Sequence, residues 1–148
     1  MRVQQGVIVF LLSGFFAVSA AAFDIKPGEW EMETKISGGP PGMVMPKIKV
    51  CIAPEQAKAE NMNKMPKECK VNFTEKKSNL VSYEAVCDGQ GGKTEIKGTV
   101  KKVSDGEIVT DVAMTMHDGG QKRTHQTTTR QKYIGPTCSK EAMPSGAR

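Results

Sequence analysis

The sequence has few of the residues on which catalytic and nucleic-acid sites depend. Its 148 residues include one tryptophan, two tyrosines, five phenylalanines and two histidines. It contains no phosphate-binding glycine loop, no C-x-x-C pair and no recognisable catalytic constellation. The lysines are not clustered with aromatic side chains that would stack on bases, which argues against nucleic acid as a partner. We therefore assign no catalytic residue and expect no cofactor.

A long apolar segment occurs only at the N-terminus. Arg2 precedes an apolar run at 7–18, and three alanines at 20–22 form a small-residue cleavage motif. The run is shorter than the roughly 20 residues of a membrane-spanning helix. We therefore interpret residues 1–22 as a signal peptide and expect the mature chain to begin at Phe23. The predicted location is periplasmic or secreted, with no membrane-spanning segment after cleavage.

Four cysteines follow this segment, namely Cys51, Cys69, Cys87 and Cys138. An exported chain of this size, with few aromatic residues, gains stability from cross-links, so we expect two disulfides. Four cysteines allow three pairings, and the sequence alone does not choose among them. We favour the nearest-neighbour pairing, Cys51 with Cys69 and Cys87 with Cys138. A zinc site would need a spacing that these cysteines lack.

Alternating apolar and polar residues predict a chain made mostly of β-strands. The predicted strands are 28–36, 47–52, 69–76, 80–87, 94–103, 107–116 and 122–134. Asp105-Gly106 is the sharpest hairpin signal. One short α-helix is predicted at 54–60, where proline stands at the start and an acidic residue in the first turn.

Short spacing between these strands favours a curled antiparallel meander, as an open barrel or half-barrel stabilised by disulfides. The domain prediction is a signal peptide at 1–22, a single β-rich domain at 23–138 and a disordered tail at 139–148.

Several segments in fixed order resemble a known family. They are FDIKPGEWE at 23–31, the Gly/Pro/Met loop at 38–46, VCIAPEQ at 50–56 and GPTC at 135–138. Together they resemble the exported bacterial family catalogued as domain of unknown function 3617, over essentially the whole predicted mature chain. The resemblance implies a small periplasmic or secreted domain with paired cysteines, and it transfers no catalytic or ligand-binding residue.

Methionine is abundant and forms two clusters that could hold a metal. Met43 and Met45 lie in the 38–46 loop, and Met114 and Met116 precede His117. Thioether and imidazole groups bind Cu(I), and M-x-M spacing on a strand presents two sulfurs on one side. These five residues are the candidate metal ligands. The alternative is that the methionines fill irregular gaps in the core and loops.

Three other features have both a functional and a structural interpretation. Trp30, with the loop residues Met43 and Met45, is a candidate ligand or partner surface, but a lone tryptophan in an alternating strand also anchors a core. The two histidines, His117 and His125, are interpreted as surface residues, with a metal or acid/base role as the alternative. A row of glutamates is interpreted as an exposed face with lysine partners on the neighbouring strand, the residues being Glu29, Glu31, Glu33, Lys47 and Lys49.

The leading functional hypothesis is a non-enzymatic binding or interaction module of the cell envelope. Its partner would be a small apolar ligand, held by the curled sheet, or an envelope protein. A periplasmic copper-binding protein that uses methionine and histidine is one alternative, and an enzyme of unnamed chemistry is another.

Overall fold

A computed structural model describes residues 23–38, 45–58, 66–89 and 92–144. Eight strands are present within them: β1 Gly28–Ser37, β2 Ile48–Ile52, β3 Cys69–Lys76, β4 Leu80–Gly89, β5 Gly92–Ser104, β6 Glu107–Asp118, β7 Gln121–Gly135 and β8 Met143–Pro144. The first seven coincide with the seven predicted strands to within two residues at each end. The predicted signal peptide, 1–22, lies outside the described residues.

The strands form one sheet in the order β3-β4-β5-β6-β7-β1-β2-β8. All pairs are antiparallel except β2 with β8, which are parallel. Strands β3 to β7 are a meander, as predicted, and β1 adds to its far side by pairing with β7. The predicted fold class, a mostly β, disulfide-stabilised antiparallel meander that stays open, is confirmed. Within the described residues, β3 and β8 are the two edges.

The meander follows from local turn chemistry. Asp105 and Gly106 form the turn between β5 and β6, where the sequence predicts a hairpin. Gly119 and Gly120 join β6 to β7 with φ angles of 54° and 83°, a region that side chains other than glycine rarely adopt. This two-residue turn fixes the register of the longest strand, so that Asp118 pairs with Gln121 and each earlier residue of β6 with a later one of β7.

The predicted short helix at 54–60 is wrong for the part that the structure describes. Residues 54–58 form turns instead, in which the Ala53 carbonyl accepts hydrogen bonds from the backbone N–H groups of Gln56 and Ala57. The Ala57 carbonyl in turn accepts a hydrogen bond from Ile25, at 2.9 Å, and the Ala57 side chain is buried. Contacts with the core therefore set this segment, because one turn is too short to propagate as a helix. Residues 59–60 lie outside the described residues.

Both disulfides are present, but the favoured pairing is wrong. Cys69 pairs with Cys87, because the β3–β4 register places the two residues directly opposite each other, with Cα atoms 4.0 Å apart. Cys51 pairs with Cys138. Strand β1 lies beside β7, β2 lies beside β1, and the chain that leaves β7 returns beside β2. These two bonds account for all four cysteines.

The segment after Cys138 departs from the predicted disordered tail. Met143 pairs with Val50 and Pro144 with Cys51, so that β8 lies along β2. The nearby disulfide at Cys138 holds this stretch against the sheet. Residues 145–148 of the predicted tail lie outside the described residues.

The sheet has two chemically different faces. Directly opposed residues of neighbouring antiparallel strands share a face, and alternate residues share it along each strand. We call one the apolar face; it carries Trp30, Val50, Phe73, Tyr83, Ile96, Ile108, Val112, Met114 and Met116. The opposite, polar face carries Ser82, Glu84, Lys97, Thr99, Asp111 and Thr128.

The main hydrophobic cluster occupies one end of the apolar face. Its buried members are Phe23, Ile25, Trp30, Val50, Ile52, Ala57 and Ile108. Trp30 is fully buried; its indole N–H donates to the Lys26 carbonyl at 2.9 Å, and its ring meets that of Tyr133 edge to face. The segment before β1 and the turn at Ala57 cover this end, whereas the end near the β6–β7 turn has no such cover among the described residues.

Candidate functional site

An apolar groove of about 790 Å³ lies on the apolar face at the end away from the core. Its floor includes Ile96 of β5 and Met114 and Met116 of β6, and the Cys69–Cys87 disulfide lies at one side. The cross-strand register places Ile96 opposite Met114 and Thr94 opposite Met116. The volume is within the range of sites that hold small molecules, about 300–1,000 Å³.

The groove is open because only one layer of the chain contributes to it. Every lining residue belongs to 66–69, to the end of β4, to the start of β5 or to the end of β6. In the part of the chain that the structure describes, the groove therefore has a floor and a rim but no second layer above it. The apolar side chains of the floor are therefore only half-buried.

The rim of the groove is polar. It includes the acidic residues Glu68, Asp88 and Asp118 together with Lys93. Lys93 lies 3.0 Å from Glu95 of the polar face, and hydrogen bonding and charge from Lys93 are the largest causes that hold the pKa of Glu95 below its usual value. An apolar floor inside a polar rim suits a molecule with an apolar body and a polar end.

A second concavity, of about 460 Å³, lies on the polar face. Its polar groups bond mainly to one another across the strands. Thr128 donates to Asp111 at 2.6 Å, and Lys97 lies 3.1 Å from Glu84. Because these groups satisfy one another, the apolar groove is the stronger candidate for a binding site.

Three of the five predicted metal ligands, Met114, Met116 and His117, line the groove. The His117 imidazole lies beside Glu95 of the polar face, with its Nε2 atom 3.6 Å from a carboxylate oxygen. Met45 is 43% exposed and precedes β2, which β1 and β7 separate from β6. Met43 lies outside the described residues. Among the described residues, no group of three or more His, Cys, Asp or Glu side chains could hold a metal. Copper binding stays a prediction.

The structure also bears on the candidate ligand or partner surface at Trp30. Trp30 lies in the core, so its indole is not available to a ligand. The loop that would join it, 39–44, lies outside the described residues, and Met45 is exposed near β2. The structural interpretation of Trp30 as a core anchor is the one that fits these contacts.

The acidic row behaves largely as predicted. Lys47 lies 3.1 Å from Glu31, and Lys49 lies 3.7 Å from Glu29. Glu29 differs from the prediction because it is buried, with 3% of its surface exposed, and accepts a hydrogen bond from the backbone N–H of Ser139. Hydrogen bonding to Ser139 is the largest cause that lowers the pKa of Glu29, and Lys49 adds to it. No local pattern indicates this contact, because Ser139 is distant from Glu29 along the chain.

His125, which the sequence analysis interprets as a surface residue, lies on the apolar face but outside the groove lining. The β6–β7 register pairs it with Met114 and pairs His117 with Lys122 instead. The signal was present in the Gly119-Gly120 turn, because a two-residue turn determines each opposed pair in a hairpin. Met114, Met116 and His125 therefore share the apolar face.

None of the residues that the structure describes forms a helix that could span a membrane.

A sequence model of the family described as "Protein of unknown function (DUF3617)" matches residues 25–138. Two relatives, each called uncharacterized protein YtgA, come from Salmonella typhimurium strain LT2 and Salmonella typhi; each is 27% identical over 156 aligned positions, covering 94% of this chain and 95% of the relative. No solved structure matches the chain. The chain belongs to the DUF3617 family, which confirms the resemblance.

Proposed function

We propose that this member of the DUF3617 family is an exported, non-enzymatic binding module of the cell envelope that holds a small apolar ligand in the open groove. The observation that carries the proposal is the half-buried apolar floor of Ile96, Met114 and Met116, over which the described residues place no second layer. Exposed apolar surface of this kind marks binding sites in soluble domains. The polar rim, with Glu68, Asp88 and Asp118, would keep a polar end of the ligand in water.

Two features support an exported location. The N-terminal segment has the charged start, apolar run and small-residue motif of a secretory signal. The two disulfides suit an oxidising compartment such as the periplasm. Sequencing the N-terminus of the protein recovered from the periplasm tests this part; we expect it to begin at Phe23, and an unprocessed N-terminus in the cytoplasm would contradict it.

A fluorescent apolar probe tests the groove. We expect 1-N-phenylnaphthylamine to bind the wild-type protein with increased fluorescence and to bind a Met116→Glu variant much less, because a carboxylate would enter the apolar floor. Thr115→Glu is the matched control: Thr115 is the adjacent residue of β6, and its hydroxyl pairs with Thr124 on the opposite, polar face. Both variants are checked for an unchanged circular-dichroism spectrum.

Equal loss of probe binding in the two glutamate variants, or binding that neither variant changes, would contradict the groove as the site. A direct measurement complements the probe. Native mass spectrometry of protein purified from the periplasm should reveal an added mass that organic extraction removes. A wild-type protein that carries no added mass and binds no probe would refute the proposal.

A further inference from the structure

Three side chains of types that bind soft metal ions share the apolar face near the β6–β7 turn. Met114 of β6 lies directly opposite His125 of β7, and opposed residues in antiparallel strands have Cβ atoms about 4.5–5.5 Å apart. Met116 lies on the same face, two residues further along β6, at a rise of about 6.8 Å. Two long thioethers and one imidazole can therefore reach a common point above the sheet.

The surroundings leave these donors available. All three side chains are half-buried. In the described residues, no hydrogen bond or ion pair joins the His125 imidazole to another side chain or to the backbone. All four cysteines form disulfides, so no thiolate competes for a soft metal ion. The thioethers are therefore the softest donors that the chain can offer.

We infer that Met114, Met116 and His125 form a binding site for one Cu(I) ion. Thioether sulfur selects Cu(I) over harder ions, and imidazole is a good ligand for copper. His117, the neighbour of Met116 in sequence, also lines the groove. It is left out of the set because its register, opposite Lys93 and Lys122, directs its side chain to the polar face beside Glu95. Binding requires no oxidation or reduction when copper is supplied as Cu(I).

Besides the groove-lining residues Asp118 and Lys93, one cation stands directly opposite a proposed ligand. Arg123 pairs with Met116 across β6 and β7, and its guanidinium lies 3.4 Å from the side-chain oxygen of Gln121. The side chain is exposed, so solvent screens its positive charge. Replacing it by glutamine removes a charge that repels the ion, and we expect Arg123→Gln to bind Cu(I) at least as tightly as the wild type.

An anaerobic titration of the disulfide-bonded protein with Cu(I), against the chromogenic chelator bathocuproine disulfonate, tests this inference. We expect one Cu(I) per chain. His125→Gln and the Met114→Leu/Met116→Leu variant should each weaken binding by at least about tenfold, since even the loss of an outer hydrogen-bond partner of a metal ligand costs about 10–100-fold. Leucine preserves the volume of methionine, so the fold should persist.

His117→Gln is the matched control and should bind Cu(I) as the wild type does. Failure of the wild type to take copper from the chelator would overturn the inference, as would weakened binding in His117→Gln with unchanged binding in His125→Gln. The apolar ligand is tested separately: His125 is outside the groove lining, so His125→Gln should keep the fluorescent probe. If His125→Gln loses copper binding but keeps probe binding, the copper site is tested separately from the proposed binding of an apolar ligand.

Discussion

The two disulfides should contribute unequally to stability, because they close loops of different length. Cys51–Cys138 joins residues 87 positions apart, whereas Cys69–Cys87 joins residues 18 positions apart. A cross-link stabilises the folded state mainly by reducing the conformational entropy of the unfolded chain, and this effect increases with loop length. Replacing each pair by alanine therefore compares the two loops within one protein.

The chain-entropy relation gives about 4.6 kcal/mol for the longer loop and about 3.2 kcal/mol for the shorter one at 25 °C. Contacts in the folded structure also make Cys51–Cys138 the more important of the two disulfides for stability. Cys51–Cys138 holds Ser139 beside Glu29 and β8 beside β2. Cys69–Cys87 instead joins two strands that the β3–β4 ladder already pairs. We therefore expect loss of Cys51–Cys138 to cost at least about 1.4 kcal/mol more.

Equilibrium unfolding in urea measures this difference, with Cys51→Ala/Cys138→Ala compared with Cys69→Ala/Cys87→Ala. For m-values of about 1–3 kcal/mol/M, the two midpoints should differ by roughly 0.5–1.4 M. The variant without all four cysteines is the control and should be the least stable. Equal midpoints, or a lower midpoint for the variant that lacks the shorter loop, would refute the reasoning from loop length.

Two further substitutions test contacts within the sheet. Ser139 and Lys49 stabilise ionised Glu29, so this stability is present above the unfolded carboxyl pKa of about 4.3 and is lost as pH falls through the lowered folded pKa. Between pH 7 and pH 3, the free energy of unfolding in urea should decrease less for Glu29→Gln than for the wild type. Equal decreases in the two proteins would count against the contact. Gly98→Ala should cost about 1–3 kcal/mol in thermal unfolding, because its Cβ would clash with the Tyr83 ring. If Gly98→Ala lowers stability by the same amount in a Tyr83→Ala background, the clash with the Tyr83 ring is not the cause.

Much of the strand pattern could be predicted because it depends on local chemistry. Alternation marks several of the strands, threonine content marks β7, and Asp105-Gly106 marks a hairpin that the structure contains. The helix at 54–60 could not be judged in this way, since proline and acidic residues also suit a turn. What decides between them is the burial of Ala57 against the core, which is a tertiary contact.

The disulfide pairing and the site depend on which distant residues become neighbours. Cys138 meets Cys51 only because β1 and β2 are added beyond β7, and no local pattern encodes that addition. The ligands of the proposed copper site were closer to the sequence prediction. Both groove methionines were singled out as possible ligands, but sequence adjacency favoured His117, whereas hairpin register places His125 opposite Met114.

The pairing of β1 with β7 has a consequence for the order of folding. Trp30 pairs with Tyr133, about 100 residues later in the chain. The hairpins from β3 to β7 can close soon after they are synthesised, but the first strand must wait until the last long strand exists. Non-local pairing of this kind raises contact order and slows folding. The N-terminal strand and its tryptophan therefore cannot take their native positions until the last long strand has been synthesised.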